Sequence, residues 1–171
     1  SVLSGFTGIF TVNLQGDVVC TTFSTARGKT ANTREREWFA TALREQRLSI
    51  GMPIVGRQSG KLVSVISYPL RDRAGALTGF VALSLDLQRF DPNIASEALP
   101  EGTRYGFFAE NGIMIWRNHD PEKVIGTRPD AAAAREIVRV RDGSFESVGI
   151  DNVRRFFVVR SLPEAGWIAW T

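Results

Sequence analysis

Apolar and polar residues alternate along several short stretches of the chain, and a period of two predicts β-strands. Residues 9–14 alternate in this way, and residues 18–22 form a second, β-branched stretch. The intervening Gln15-Gly16-Asp17 is typical of a turn. The first 22 residues therefore predict a β-hairpin.

A helical pattern follows the hairpin. Asn32 or Thr33 can cap a helix that ends near Gln46, and Glu35 lies three residues after Asn32, as in a capping box. Apolar residues spaced by one and four positions would form one face of this helix. They are Trp38, Phe39, Ala42 and Leu43.

The same order of elements occurs twice. After the helix, residues 45–87 predict three antiparallel strands, and a connecting helix is expected within residues 88–98. A second hairpin pattern, a helix from Asp130 to about Val138 and three more strands then follow. Those strands cover 144–149, 154–161 and 166–170. The pattern predicts an α+β chain of two modules, residues 1–87 and 88–171, each an antiparallel sheet with flanking helices.

Composition excludes several function classes. The 171 residues carry a net charge of only +3, and basic residues are interspersed with acids instead of forming a one-sided stripe. This pattern does not favour a nucleic-acid surface, so we expect no nucleic-acid partner. No apolar run of 18 residues occurs, and no signal-peptide pattern opens the chain. The chain opens abruptly at Ser1, and we expect it to be part of a longer protein.

The residues show no catalytic machinery. Nucleophile elbows, phosphate loops, Cys–His pairs and metal-binding spacings are absent from the sequence. Cys20 is the one cysteine, and a buried structural thiol is the simpler interpretation. His119 is the one histidine, and a loop histidine is usually exposed. We therefore expect no catalytic residue, no metal and no cofactor, although a paired-carboxylate enzyme site remains an alternative.

Five blocks of sequence resemble the double-Cache family of sensors, also called PDC or PAS-like extracellular sensors. They are residues 8–19, 36–43, 50–61, 67–75 and 79–86, which include Arg36-Glu37-Trp38-Phe39 and Ser67-Tyr68-Pro69-Leu70-Arg71-Asp72. Residues 103–170 are similar to the smaller, membrane-proximal half of such sensors. The long N-terminal helix of the family is missing, and Ser1–Thr7 would be at most its remnant or a following loop.

The resemblance implies a periplasmic or extracellular sensor region of a membrane-anchored receptor. It further implies a homodimer in the intact receptor and a cytoplasmic output module, namely a histidine kinase, a diguanylate cyclase or a chemoreceptor signalling domain. The distal module of the family usually holds a small polar ligand. Two alternatives stay open. One is a dimerisation or partner-protein module with no small-molecule ligand, and the other is a cytoplasmic PAS or GAF module.

Arg36 is the first candidate for ligand contact, because a guanidinium matches a carboxylate in two parallel hydrogen bonds. Arg34 is the competing arginine. Trp38 and Phe39 would wall the pocket or dock the helix on the sheet. The further candidates are Met52, Tyr68, preferred to its neighbour Ser67, and Asp86, which either holds an amine or caps the next helix.

The resemblance also indicates the ligand class. Amino-acid-sensing members of the family carry a Tyr five residues before the Arg and an acid five residues after the strand glycine. In this chain those places hold Ala31 and Ser84. An anionic ligand without an amine, such as a simple carboxylate, therefore fits this chain better than an α-amino acid.

Overall fold

Two separate antiparallel sheets organise the chain. The computed structural model describes residues 5–24, 31–94 and 99–171. The chain divides into unit 1, Ser1–Arg89, and unit 2, Phe90–Thr171. Each unit contains one sheet and its own buried apolar cluster.

Unit 1 forms a sheet in the order β2-β1-β6-β5-β3, with β4 also paired to β5. Its elements are β1 (Phe6–Asn13), β2 (Val18–Thr21), α1 (Glu37–Glu45), β3 (Ser49–Ile50), β4 (Ile54–Val55), β5 (Leu62–Arg71) and β6 (Leu77–Asp86). The hairpin predicted at the start of the chain is confirmed as β1 and β2. The strands predicted after the helix are confirmed too, with β3 and β4 as two short antiparallel partners of β5.

Unit 2 forms a sheet in the order β8-β7-β11-β10-β9. Its elements are β7 (Gly106–Ala109), β8 (Met114–Arg117), α2 (Pro121–Val124), α3 (Ala132–Val140), β9 (Gly143–Val148), β10 (Arg154–Leu162) and β11 (Trp167–Trp170). If β3 and β4 count as one strand, both units have the strand order 2-1-5-4-3. The predicted α+β fold with two PAS-like sheets is therefore confirmed.

The core of unit 1 lies between α1 and the sheet. Trp38, Phe39 and Ala42 of α1 are buried, as their helical spacing predicts. Phe39 packs edge-on against Phe80 of β6, with ring centroids 6.0 Å apart. Gly51 permits the close approach of Trp38, because a Cβ at position 51 would lie 2.5 Å from Cβ of Trp38.

The core of unit 2 lies between α3 and its sheet. Ala133, Ala134 and Ile137 of α3 are buried against aromatic residues of the strands, among them Phe108 and Phe157. The small alanines let the helix approach the sheet, and the larger strand residues fill the remaining space.

Both predicted helix caps are wrong. The residue before α1 is Arg36, and no side chain caps that end. Asn32 instead accepts a hydrogen bond from the backbone N–H of Arg34, 2.8 Å away, and so forms a local turn. Ala131 precedes α3, and Asp130 forms an ion pair with Arg135.

Three further expectations change. Residues 88–94 contain no helix, and residues 95–98 of the expected connecting helix lie outside the described residues. Phe6 and Thr7 belong to β1, so they are not a helix remnant. Cys20 is exposed on β2, the edge strand of its sheet, so its thiol is not a buried structural one.

Within the described ranges, the helices are too short and too polar to cross a membrane.

Candidate functional site

A cavity of about 580 Å³, including its open mouth, lies in unit 1. Its walls are the sheet, the start of α1 and the segments 31–33 and 54–59. The lining residues are Phe10, Val18, Phe23, Ala31, Asn32, Thr33, Arg36, Trp38, Ile54, Gly56, Arg57, Gln58, Ser59, Val63, Val65 and Ser84.

The part of the wall formed by the sheet and α1 is largely apolar. Trp38 stands edge-on to Phe10, with ring centroids 5.8 Å apart, and Val63 and Val65 are almost fully buried beside them. Phe23 covers Gly8, where an added Cβ would lie 2.7 Å from the Phe23 ring. A ligand in the cavity would therefore contact aromatic and β-branched side chains.

The polar part of the wall contains two arginines. Arg36 is partly buried, and among the described residues no carboxylate lies within 4.0 Å of its guanidinium. Arg57 forms an ion pair with Glu35 and donates a 3.4 Å hydrogen bond to the backbone oxygen of Asn32. Among the described lining residues, Arg36 is therefore the cation without an acidic partner.

The β1–β2 turn holds the segment beside Arg36. The Asn32 amide donates to Asp17 Oδ1 at 2.7 Å, and the Thr33 hydroxyl donates to the Gly16 carbonyl at 3.0 Å. Hydrogen bonds from Asn32, and then from Asn13, lower the pKa of Asp17 below its usual value. Gly16 has φ of +84°, and a Cβ there would meet the Arg34 backbone nitrogen at 2.7 Å. This turn sets the position of one wall.

The structure brings Arg36 and Trp38 together in the cavity and separates them from the other aromatic and arginine candidates. Arg34 is exposed and lies outside the lining. Phe39 is 1% exposed and packs in the core behind Trp38. The difference follows from the geometry of α1, because neighbouring residues point about 100° apart around a helix.

Met52 and Tyr68 do not line this cavity. The Tyr68 side chain is 57% exposed, because alternate residues of β5 point to opposite faces of the sheet. Ser67 is the buried one of the pair, and its hydroxyl lies 2.8 Å from that of Ser49 on β3. Neither Ser67 nor Tyr68 lines the cavity, so the preference for Tyr68 as the residue lining the pocket finds no support in the geometry.

Asp86 also lies outside the cavity lining and is almost fully buried at the end of β6. Its Oδ2 atom accepts a 2.8 Å hydrogen bond from Lys61 Nζ, and its Oδ1 atom accepts from the Gln88 N–H at 3.2 Å. This carboxylate joins β5 to the end of β6 and closes a turn. It does not cap a helix, because residues 88–94 are not helical.

Several lining residues were not among the predicted site residues. Asn32, Arg57, Gln58 and Ser59 belong to loops, and their positions depend on how those loops fold over the sheet. Ala31 and Ser84, the two places where the sequence departs from amino-acid sensors, both line the cavity. The lining contains no Asp or Glu among the described residues. The described ranges also hold no group of three His, Cys, Asp or Glu side chains that could bind a metal.

The sequence comparisons return no match. No family model matches the chain, and no curated protein matches it.

Solved structures with the same fold do exist. The extracellular domain of rpHK1S-Z16, described as a histidine kinase, is 15% identical with a TM-score of 0.72, over 99% of this chain and 70% of that one. An extracellular ligand-binding receptor from Desulfohalobium retbaense is 14% identical with a TM-score of 0.70, over 97% and 30%. The ligand-binding domain of the Pseudomonas fluorescens chemoreceptor CtaA, in complex with L-serine, is 16% identical with a TM-score of 0.68, over 96% and 71%.

This chain has the fold of these extracellular domains, as the resemblance to double-Cache domains implies. The agreement extends over both units, since each of the three alignments covers at least 96% of the chain. The chain spans about 70% of two of these structures and 30% of the third. Unit 1 contains the cavity with Arg36, and unit 2 has the smaller sheet, with five strands against six.

Proposed function

We propose that this chain is the ligand-binding sensor region of a membrane-anchored receptor, and that unit 1 binds a small carboxylate. One observation carries the proposal. The Arg36 guanidinium, which has no acidic partner among the described residues, lies beside an apolar wall formed by Trp38 and its neighbours. A charge without a partner in a partly shielded cavity favours an anionic ligand.

The charges around the cavity support an anion over an amine. Arg36 and Arg57 are the charged side chains among the described lining residues, and Glu35 already neutralises Arg57. Among the described lining residues, no carboxylate is present to replace the water of an ammonium group. A carboxylate would accept two parallel hydrogen bonds from Arg36, and its apolar part would contact Trp38.

The structural neighbours support a sensor function in general. CtaA binds L-serine, which also presents a carboxylate, so its binding chemistry overlaps with the one proposed here. By the same analogy we place this chain in the periplasmic or extracellular part of its receptor, without catalytic activity of its own. The homodimer of the intact receptor is proposed from the resemblance to double-Cache sensors alone. The output would be a histidine kinase, a diguanylate cyclase or a chemoreceptor signalling domain.

Signalling would use the difference in affinity between two conformations. A ligand that contacts both Arg36 and the segment 54–59 would stabilise the conformation in which these two walls are closest. A coupling free energy of about 1–3 kcal/mol is enough to shift such an equilibrium usefully.

A thermal-shift screen followed by calorimetry tests the proposal, because a ligand that binds the native state raises its melting temperature. The probes are acetate, propionate, succinate, L-serine, ethanolamine and glucose. We expect a carboxylate to bind, and Arg36→Ala to weaken that binding by about 10-fold to 100-fold. The matched control is Arg34→Ala, which removes an exposed arginine outside the cavity and should leave affinity unchanged.

Two results would contradict the proposal. Equal affinity in wild type and Arg36→Ala would remove Arg36 from the site. No response to any probe would favour the alternative in which unit 1 serves dimerisation or binds a partner protein.

A further inference from the structure

Unit 2 contains a cavity of its own, of about 730 Å³ including its mouth. It lies between the sheet and α3 and shares no lining residue with the cavity of unit 1. Arg104, just before β7, and Arg117, the last residue of β8, both line it. Gly106 pairs with Arg117 across β7 and β8, so residues 106 and 117 share one face of the sheet.

Three donors around this cavity lack acceptors. The Nε atoms of Arg104 and Arg117 are shielded from solvent, and neither finds a hydrogen-bond partner within the part of the chain that the structure describes. The same holds for Nε1 of Trp170, a cavity-lining residue that is only 7% exposed. Buried donors are normally paired, so these three residues leave hydrogen-bonding capacity beside the cavity that water or a ligand can use.

The acidic residues of the cavity are already paired. Asp151 receives two hydrogen bonds from Arg155, at 2.6 and 2.7 Å. Asp120 receives one from Lys123 at 2.7 Å, and His119 lies 3.8 Å from it. Arg104 and Arg117 have no carboxylate within 4.0 Å among the described residues, so the charge left over in the cavity is positive.

The remaining wall is apolar. Phe108, Phe157 and Ile137 are each less than 5% exposed, and Ala133 and Ala134 of α3 lie beside them. Such a surface stabilises hydrocarbon and offers little to a hydrated inorganic ion. The cavity therefore combines cationic donors with room for an apolar group.

We infer that the cavity of unit 2 is a second ligand site, for an organic anion with an apolar body. The acidic oxygens of this anion accept hydrogen bonds from Arg104 and Arg117, and its hydrocarbon part packs against Phe108, Phe157 and α3. The Trp170 indole N–H supplies a further donor. This inference does not depend on the ligand of unit 1, because the two sites use different residues.

Calorimetry and nitrogen-15 NMR on the full chain test the inference, with benzoate, hexanoate and phenyl phosphate as probes. We expect at least one probe to bind saturably and to shift the indole N–H signal of Trp170, assigned with Trp170→Phe. Benzamide, the neutral counterpart of benzoate, should bind about 10-fold more weakly or not at all. No saturable response to any of the three anions would overturn the inference.

Variants locate the binding. Arg117→Gln should weaken it by about 10-fold or more, whereas Arg128→Gln, at an exposed position outside the cavity, should not change it. Ala134→Leu fills the cavity without altering a charge and should abolish binding. If circular dichroism shows that Arg117→Gln is unfolded, the affinities of Arg104→Gln and Ala134→Leu show whether the probes bind in this cavity.

Arg36→Ala distinguishes binding in unit 2 from binding in unit 1. This variant should leave the affinity for these probes unchanged. Binding that survives Arg104→Gln, Arg117→Gln and Ala134→Leu but disappears in Arg36→Ala would overturn this inference while supporting the proposed function of unit 1.

Discussion

Trp38 belongs both to the core of unit 1 and to the wall of its cavity. It is 4% exposed, contacts Phe39 edge-on with ring centroids 5.8 Å apart, and still lines the cavity. Its neighbour Phe39 contributes to the core alone, because it points away from the cavity towards Phe80. Trp38 and Phe39, which the sequence pattern does not distinguish, therefore have different roles in the structure.

This difference predicts the outcome of Phe39→Leu. The change removes buried aromatic surface, so we expect the free energy of unfolding to fall by about 2 kcal/mol. Carboxylate affinity should stay within about twofold of wild type, since Phe39 does not line the cavity. Urea unfolding and calorimetry measure the two effects. A large loss of affinity in folded Phe39→Leu would return this residue to the binding site.

Asp151 predicts a pH dependence of stability. The hydrogen bonds from Arg155 lower the pKa of this carboxyl from 3.8 to about 2 in the folded chain. Because the pKa is lower when folded, the stabilisation is present above about pH 4 and is lost as the pH falls towards 2. The Asp151 side chain is 41% exposed, so solvent screening limits this stabilisation to about 1 kcal/mol.

The measurement is the unfolding free energy of wild type and Asp151→Asn between pH 7 and pH 2. We expect the variant to be less stable at pH 7 and the difference to shrink below pH 4. In the Arg155→Gln background the same substitution should show little of this pH dependence. An equal difference at every pH would refute the assignment to this ion pair.

At the scale of elements, β5 and β6 form the longest pair in unit 1, with ten residues each. Asp86 and Lys61 join the far end of this pair, where the Asp86 side chain is 2% exposed and that of Lys61 is 40% exposed. Arg89 Nε lies 3.9 Å from the same carboxylate oxygen, so Lys61 is the closer of two cations. A buried carboxylate that loses its closest cation is left largely uncompensated, which is more costly than the absence of both groups.

A double-mutant cycle tests this link. We expect Lys61→Met to lower the unfolding free energy by about 1–3 kcal/mol, since the carboxylate stays buried. The double variant Lys61→Met/Asp86→Asn should lose less than the sum of the two single changes. Lys61→Arg serves as the charge-preserving control. Strict additivity of the two single changes would show that the pair is not coupled.

Helix α1 illustrates what local sequence cannot decide. Its apolar face follows from spacing alone, and Trp38, Phe39 and Ala42 are buried as expected. The start of the helix does not follow from the local sequence. Asn32 and Thr33 form hydrogen bonds with the β1–β2 turn, so no side chain caps the helix. Contacts with a distant segment thus override the capping preference of residues 32–35.

At the scale of the whole molecule, two units with the same strand order have separate buried clusters. We therefore expect a core change in one unit to act on that unit. Ile137, 2% exposed on α3, is the test position. Ile137→Ala should cost about 2–4 kcal/mol in unit 2 through the cavity it leaves.

Hydrogen exchange resolves the effect by residue. We expect amides of β10 and β11 to lose protection in Ile137→Ala, and amides of β1, β5 and β6 to keep it. Val65→Ala is the matched change in unit 1 and should produce the reverse pattern. Equal loss of protection in both units would show that they unfold together.

The sequence by itself determined the order of the strands, the places of α1 and α3 among them, the repeat of that order and the α+β class, because alternation and helical spacing are local properties. It did not determine α2, and it predicted a helix after β6 that residues 88–94 do not form. Tertiary structure decided which candidates share a cavity. Arg36 and Trp38 line it, whereas Arg34, Phe39, Met52, Tyr68 and Asp86 do not. Strand register and the path of the loops choose between neighbouring residues, and both depend on contacts between segments far apart in the chain. The unpaired donors of unit 2 have the same origin, because Arg104, Arg117 and Trp170 surround one cavity only after β7, β8 and β11 pair in the sheet.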